Sequence, residues 1–511
     1  MAFDIQFKLI YQGIRDVFRV RSLSNKTQVF TIFQPSLRKK SYRMQLSMIQ
    51  IALMILTIAV AISGGIYAAR SVHSADGYSL GGRSAGVPMV AGTIAGTCIG
   101  GGATVGTAQL AGTIGLSAWW FTIGTGLTFI IMGLFYARPL RGTALETISQ
   151  YLVLNYGKGA GHFTTAVSSL GIFFSAVASC LPGIAIFAAL TGMPAWIAAL
   201  LFTALVACYG FFGGLKSAGV GGMVKAAILW SSLSIAGALA WNGITETPEA
   251  SALLPAYPWF SLLGNGVQNA LVSVFSLLVG VLCTQSYIQA IFSASNPRTA
   301  SVGAFTAALI TIPVGLPCAM IGMYMHVAHP DVSPLLALPT YLLTEAPVVL
   351  GSVAMGGIML SLIGSVAGLS LGIGTMLTKD FFAKLLRVSG DASMLRLSRV
   401  VVLGVILASC SFALFNEGSQ VLFWNYLSMA LRGGGIFLPL TIAVFRPQAV
   451  APRLALFSML VSTGAAVVAA AMHTSISPLF IGLGVSAILL IPALFFHNDD
   501  DDGGEPIPVE N

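Results

Sequence analysis

Charge is what this chain has least of. Asp, Glu, Lys and Arg make up 8% of its 511 residues, hydrophobic residues make up 56%, and mean hydropathy is +0.87. A soluble chain of this length could not cover its surface with so few charges, which excludes an ordinary cytosolic globular protein. No acid lies well inside an apolar run, so a relay of intramembrane carboxylates has little support. His326 and His329 fall near one end of a run, His162 near another, and His73, His473 and His497 near loops, where solvated interfacial roles are expected. Cys98, Cys180, Cys208, Cys283, Cys318 and Cys410 all fall in apolar runs without a CxxC pair, which argues against disulfides and zinc. Paired acids, a His/Cys cluster and a nucleophile–base arrangement are all missing, so the chain does not read as an enzyme.

What is present is apolar sequence in lengths that suit a bilayer. A transmembrane helix needs about 20 such residues. Candidate spans fall at 48–69, 87–112, 117–136, 163–191, 195–213, 220–242, 264–292, 300–326, 348–377, 398–415, 421–445, 452–472 and 476–496. The expected fold is an all-α integral membrane protein of about 13 spans. Lys and Arg collect in alternate loops, around Arg83, Arg141, Lys158, Lys216, Arg298, Lys379 and Arg446, and the intervening loops carry Glu246, Glu249, Asp331, Glu345 and Glu417 instead. By the positive-inside rule the basic loops are cytoplasmic. An odd span count then puts the N-terminus outside and the C-terminus in the cytoplasm of a multi-pass cell (inner) membrane protein.

Residues 1–43 contradict this arrangement, because they hold a basic run from Lys8 to Arg43 on the side assigned as outside. A mis-called start, a peripheral amphipathic extension and a wrong parity are the competing explanations. Much of the net charge of +8 sits in this segment, so it implies no nucleic-acid partner. The expected organisation is this extension, a transporter unit over 44–450, peripheral helices over 451–497 and an acidic disordered tail over 498–511. The expected partners are a small-molecule solute and the lipid bilayer, with no obligate protein partner evident.

Two glycine-loaded stretches interrupt the apolar pattern. One runs from Gly81-Gly82-Arg83-Ser84-Ala85-Gly86 to Gly96-Thr97-Cys98-Ile99-Gly100-Gly101-Gly102, and the other from Ser361 through Gly364, Ser365 and Gly368 to Thr378-Lys379-Asp380. Helices this rich in Gly break readily, and bare carbonyls in lipid are costly, so such breaks persist where they line a cavity or hold an ion. Spans two to six and seven to eleven can form two five-helix units, each beginning with an interruptible helix. In span seven the candidate interruption is the polar set Gln268, Asn269, Ser273 and Ser276. Paired interrupted helices in corresponding positions point to an inverted-repeat transporter.

An ordered set of short motifs adds to this. Gly81-Gly82-Arg83-Ser84, Gly106-Thr107-Ala108-Gln109, Arg138-Pro139-Leu140-Arg141, Tyr209 through Lys216, Thr284 through Gln289, Leu377 through Asp380, and Gly433-Gly434-Gly435 with Pro439 occur in sequence. Together, over roughly residues 48–450, they resemble the sodium:solute symporter family. The resemblance implies a LeuT-type 5+5 inverted repeat, here with one extra N-terminal and two extra C-terminal helices. It also implies Na+ as the coupling ion, at a site between spans two and nine. Carried over, that site takes carbonyls of Gly96, Ile99 and Ser361 and the hydroxyl of Ser365. Gly364 stands where a second hydroxyl is expected, and Cys98 where some members carry an acid.

Arg432 lies mid-way through span eleven, where an arginine needs compensation. It can bind an anionic substrate group, bond carbonyls freed by a break at the glycine triplet, or reach a water-filled vestibule. Thr97, Cys98, Gln268, Asn269, Ser273, Asn425 and Arg432 are the candidate substrate residues, with Trp424, Ser276 and the helically spaced Ser168, Ser175 and Ser179 nearby in pattern. The function expected is secondary active transport, by alternating access, of a small organic solute, with a carboxylate or amino acid favoured and sodium as driving ion. A sodium-independent or proton-coupled carrier of the same fold, and a membrane sensor on a transporter fold, are the alternatives.

Overall fold

The computed structural model describes residues 46–70, 72, 74–246, 252–472 and 476–496. The basic segment 1–43 and the acidic tail 498–511 lie outside the described residues. Those described are helical, with a single isolated bridge pairing Ala85 and Ala294. The main helices are α1 (Met48–Ala69), α2 (Val87–Cys98), α3 (Thr107–Ile114), α4 (Trp120–Ile131), α5 (Ile148–Thr191), α6 (Ala195–Glu246) and α7 (Val267–Leu282). They continue with α8 (Gln285–Ser293), α9 (Pro297–Ala328), α10 (Val348–Met376), α11 (Asp391–Phe415), α12 (Val421–Phe445), α13 (Pro452–Ala471) and α14 (Pro478–Leu490).

Among the described residues, nine helices are long and apolar enough to cross a membrane, or ten if the bent pair α7–α8 counts as one span. Met48–Val60, Val87–Cys98 and Ala195–Phe211 are apolar but shorter. The count of 13 is therefore not confirmed, because several expected spans are divided by bends and breaks. The helix starts follow local chemistry. Thr147 caps α5 by accepting from the Gln150 amide, and Asn296 caps α9 by accepting from Thr299, with Pro297 just inside. Gly214, at φ 51°, turns the chain between the two spans merged in α6, and a side chain there would lie 2.4 Å from the Tyr78 carbonyl.

Glycines also set how closely the helices cross. A Cβ at Gly92 would lie 2.4 Å from the Gly219 carbonyl, and one at Gly96 would lie 2.6 Å from the Gly222 Cα. Backbone thus meets backbone between α2 and α6, the small-residue packing expected where lipid gives no hydrophobic drive. On the far side of α2, a Cβ at Gly368 of α10 would lie 2.3 Å from Thr97 Oγ1. These approaches bring α6 and α10 against the point where α2 ends.

The glycine triplet of α12 works differently. The helix is continuous from Val421 to Phe445 and does not break there. Gly433 faces Val279 and Gly435 faces Thr463, so the triplet serves as a packing surface for α7 and α13.

Candidate functional site

Two breaks meet near the centre of the helix bundle. The first follows Cys98, where Ile99 leaves helical geometry at φ −74°, ψ 83°. The Gly100 amide turns back to the Cys98 carbonyl, and the Gly101 amide is given to Ser179 Oγ at 3.2 Å. Thr97 and Ile99 therefore lose their usual helical donors. Ser365 Oγ donates to the Thr97 carbonyl, and Ser361 Oγ donates to that of Ile99. A third donor arrives from α6: Lys225 Nζ lies 3.1 Å from the Ile99 carbonyl and 3.2 Å from the Ser361 carbonyl. Lys225 is 1% exposed.

The second break separates α7 from α8, which meet at a 51° bend. It falls at Cys283–Thr284, not in the polar stretch 268–276, which corrects the expected position of the interruption. The Thr284 amide bonds the Val281 carbonyl at 3.0 Å and so leaves the Gly280 carbonyl free. Arg432 Nε takes that carbonyl at 2.9 Å, together with Thr284 Oγ1 at 2.8 Å. Ser168 Oγ reaches the Cys283 carbonyl at 3.4 Å. Arg432 therefore does bond a carbonyl bared by a break, but the break is in α7, because α12 itself is unbroken. Its Nη1 donates to Ser428 Oγ and contacts Ser175 Oγ, and Nη2 has no partner among the described residues.

The breaks enclose a cavity of about 20 Å³, room for a single water molecule. Thr97, Cys98, Asn425 and Arg432 line it, as do Ser175, Ser179 and Ser365, joined by Phe121, Thr125 and Tyr287. Gln268 and Asn269 do not come near it. Both are exposed on the first turn of α7, and the Asn269 side chain donates to the Asn265 carbonyl just ahead of the helix. Ser273 is half-buried outside the lining, beside Tyr426. The reason is the location of the break: the cavity faces the C-terminal end of α7 at Val281, over two turns beyond these residues.

As arranged, the expected ion ligands do not form an open oxygen cage. The Ile99 and Ser361 carbonyls are held by Lys225, the Ser365 hydroxyl is turned to Thr97, and Gly96 is pressed against Gly222. Gly364 contributes no hydroxyl. Lys225 is not among the residues singled out from the sequence, although a lysine inside the 220–242 span is the same signal as Arg432. Tyr287 and Phe121 carry no such signal, since aromatic residues are common in spans.

The basic loops gather at one end of this arrangement. The Ala85 amide bonds the Ser293 carbonyl at 3.1 Å, and Ser295 returns to Ala85 at 3.0 Å. Arg141 Nε donates to the Ala294 carbonyl, and Lys379 pairs with Glu146. Gln289 Nε2 bonds the Ser79 carbonyl at 2.6 Å, and the Ile148 amide bonds Gln285 Oε1 at 2.9 Å. The start of α2 and the end of α8 are thereby tied together, which closes the cavity on the basic-loop side.

A profile of the sodium:solute symporter family matches residues 78–462. The chain belongs to this family. It is 27% identical to the human high affinity choline transporter 1 over 250 residues, 48% of this chain and 43% of that one. It is equally similar to the Torpedo marmorata high-affinity choline transporter 1, over 49% of this chain and 44% of that one. The chain thus aligns with less than half the length of these curated relatives. Among solved structures, one described as the substrate-bound outward-open state of a Na+-coupled sialic acid symporter superposes with a TM-score of 0.75 at 17% identity, covering 88% of this chain and 98% of that one. A nucleobase-cation-symport-1 family transporter in a closed conformation superposes with a TM-score of 0.55 at 14% identity, covering 82% and 94%. The described residues are helical and share the LeuT-type fold of these neighbours, and their long apolar helices make a multi-pass membrane protein.

Proposed function

We propose that this chain carries a small organic solute bearing a carboxylate, an amino acid being the favoured form, across the cell membrane by alternating access. Family membership supports sodium-coupled solute transport in general terms. The observation that carries the carboxylate is Arg432. It is 2% exposed, lines the central cavity and has no acidic partner among the described residues. A guanidinium with a free edge suits a carboxylate, and no residue lining the cavity carries a negative charge. Lys225 adds a second buried positive group behind the first break. The same charges disfavour a quaternary ammonium such as choline, the solute named for the curated relatives, because two like charges would be brought together in a low dielectric.

The cavity is too small for any organic solute in this form, so binding requires the helices to part. Closure on the basic-loop side means that the opposite side would open first to load. Release follows when the ties between α2 and α8 give way. A thermal-shift screen of carboxylates, amino acids, sugars and choline tests the reading. A carboxylate or amino acid should stabilise the wild type, and Arg432→Met should weaken its binding by about tenfold or more, the scale of a lost charge-assisted hydrogen bond. Arg432→Lys controls for folding. Stabilisation by choline that survives Arg432→Met would reject the carboxylate.

A further inference from the structure

Two departures in this chain occupy one place. Gly364 lacks the hydroxyl that the family resemblance asks for, and Lys225 puts an amine into the same space. A Cβ built on Gly364 would have Lys225 Nζ as its nearest neighbour, at 3.4 Å. That amine is bonded to the carbonyls of Ile99 and Ser361, two of the oxygens expected to face sodium. The glycine crossing between α2 and α6 makes this reach possible, since Lys225 lies one turn beyond Gly222 on α6.

We propose that Lys225 is a tethered cation that replaces sodium between α2 and α10, so that this site binds no sodium ion. The chemistry of the two guests is alike. Both are compact monovalent cations satisfied by neutral carbonyl oxygens, here that of Ile99 at the break after α2 and that of Ser361 within the unbroken α10. They compete for the same lone pairs, and an ammonium held by its own side chain is present at an effective concentration that does not depend on free ion in solution. Its charge also answers the negative ends of the broken α2 and of the Ser361 carbonyl without a carboxylate, and no acid pairs with it among the described residues. A Cβ at 364 would stand in ordinary contact with the amine, so Gly364 leaves Lys225 room at the place where a hydroxyl is expected. A sodium ion that drove transport would bind elsewhere in the molecule.

The inference deepens the transporter reading and rests on it, but its test needs no solute. Radiolabelled sodium binding to the purified full-length protein is measured for the wild type, Ser365→Ala, the double variant Lys225→Ala with Gly364→Ser, and that double variant carrying Ser365→Ala. The wild type should show no saturable component that Ser365→Ala removes. The double variant should gain one, and Ser365→Ala should weaken it about tenfold or more, on the scale of typical site coupling. A wild-type component lost on Ser365→Ala overturns the proposal, as does a double variant that elutes as a folded monodisperse species and gains no sodium binding. If the double variant does not fold, the comparison of wild type with Ser365→Ala decides alone. Failure of the carboxylate screen would leave these outcomes unchanged, so the two readings fail separately.

Discussion

At the scale of single residues, the two buried basic groups are handled alike. Each donates to a carbonyl that a broken helix has left bare, Arg432 to Gly280 and Lys225 to Ile99, and Lys225 also reaches the Ser361 carbonyl within the unbroken α10. A long donor side chain with no acceptor of its own suits this task, because every unpaired carbonyl in the membrane interior is costly. The glycines opposite them matter through absence of a side chain. Gly222→Val would drive a branched side chain into the Gly92 carbonyl, 2.0 Å from a Cβ at 222. Overpacking of this kind costs about 1–3 kcal/mol. A lowered melting temperature in detergent is the expected result, and an unchanged one would mean that α2 and α6 do not cross this closely.

At the scale of helices, the breaks are built from more donors than a single bond would need. The Ile99 carbonyl accepts from both Ser361 and Lys225, and the Gly280 carbonyl from both Thr284 and Arg432. Removing one of two donors should therefore be mild. Ser361→Ala is expected to cost about 1 kcal/mol, the net value of one hydrogen bond. Ser361→Ala combined with Lys225→Met should cost more than the sum of the single changes, since it strands a buried carbonyl. Thermal unfolding of the three variants checks this, and strict additivity would argue against a shared acceptor. Of the two glycine-loaded stretches, Gly96–Gly102 does contain a break, at Ile99, whereas Ser361 to Gly368 stay within the continuous α10, which corrects the expectation of a break there. The polar residues of span seven pointed to the wrong turn, because Gln268 and Asn269 are polar for exposure at a helix start.

At the scale of the whole molecule, the structure leaves space for one water between its breaks, and several hydrogen bonds tie it together on the basic-loop face. Those ties use the motifs that the sequence had marked: Gln285 and Gln289 after the second break, Arg141 after α4, and Lys379 after α10. Gln289→Leu removes the donor to Ser79 and to Thr375 Oγ1 and should shift the population toward a form open on that face. Faster hydrogen exchange over residues 78–85 and 285–295 is expected, with little change in α13 and α14. Equal exchange in wild type and variant would show that the bond does not hold the closed form.

The amino-acid sequence by itself determined the solvent, the helical class and the family. Apolar length and scarce charge leave a bilayer protein no other choice, and the ordered motifs carry the rest. It also marked Arg432, because a charge in a span stands out against its surroundings. Only the tertiary structure decided what fills the ion position. Ile99, Lys225, Ser361 and Gly364 lie on three helices far apart in the chain, and no spacing rule connects them. Their meeting depends on how closely glycine lets α2 and α6 cross, a distance that local sequence preference does not encode.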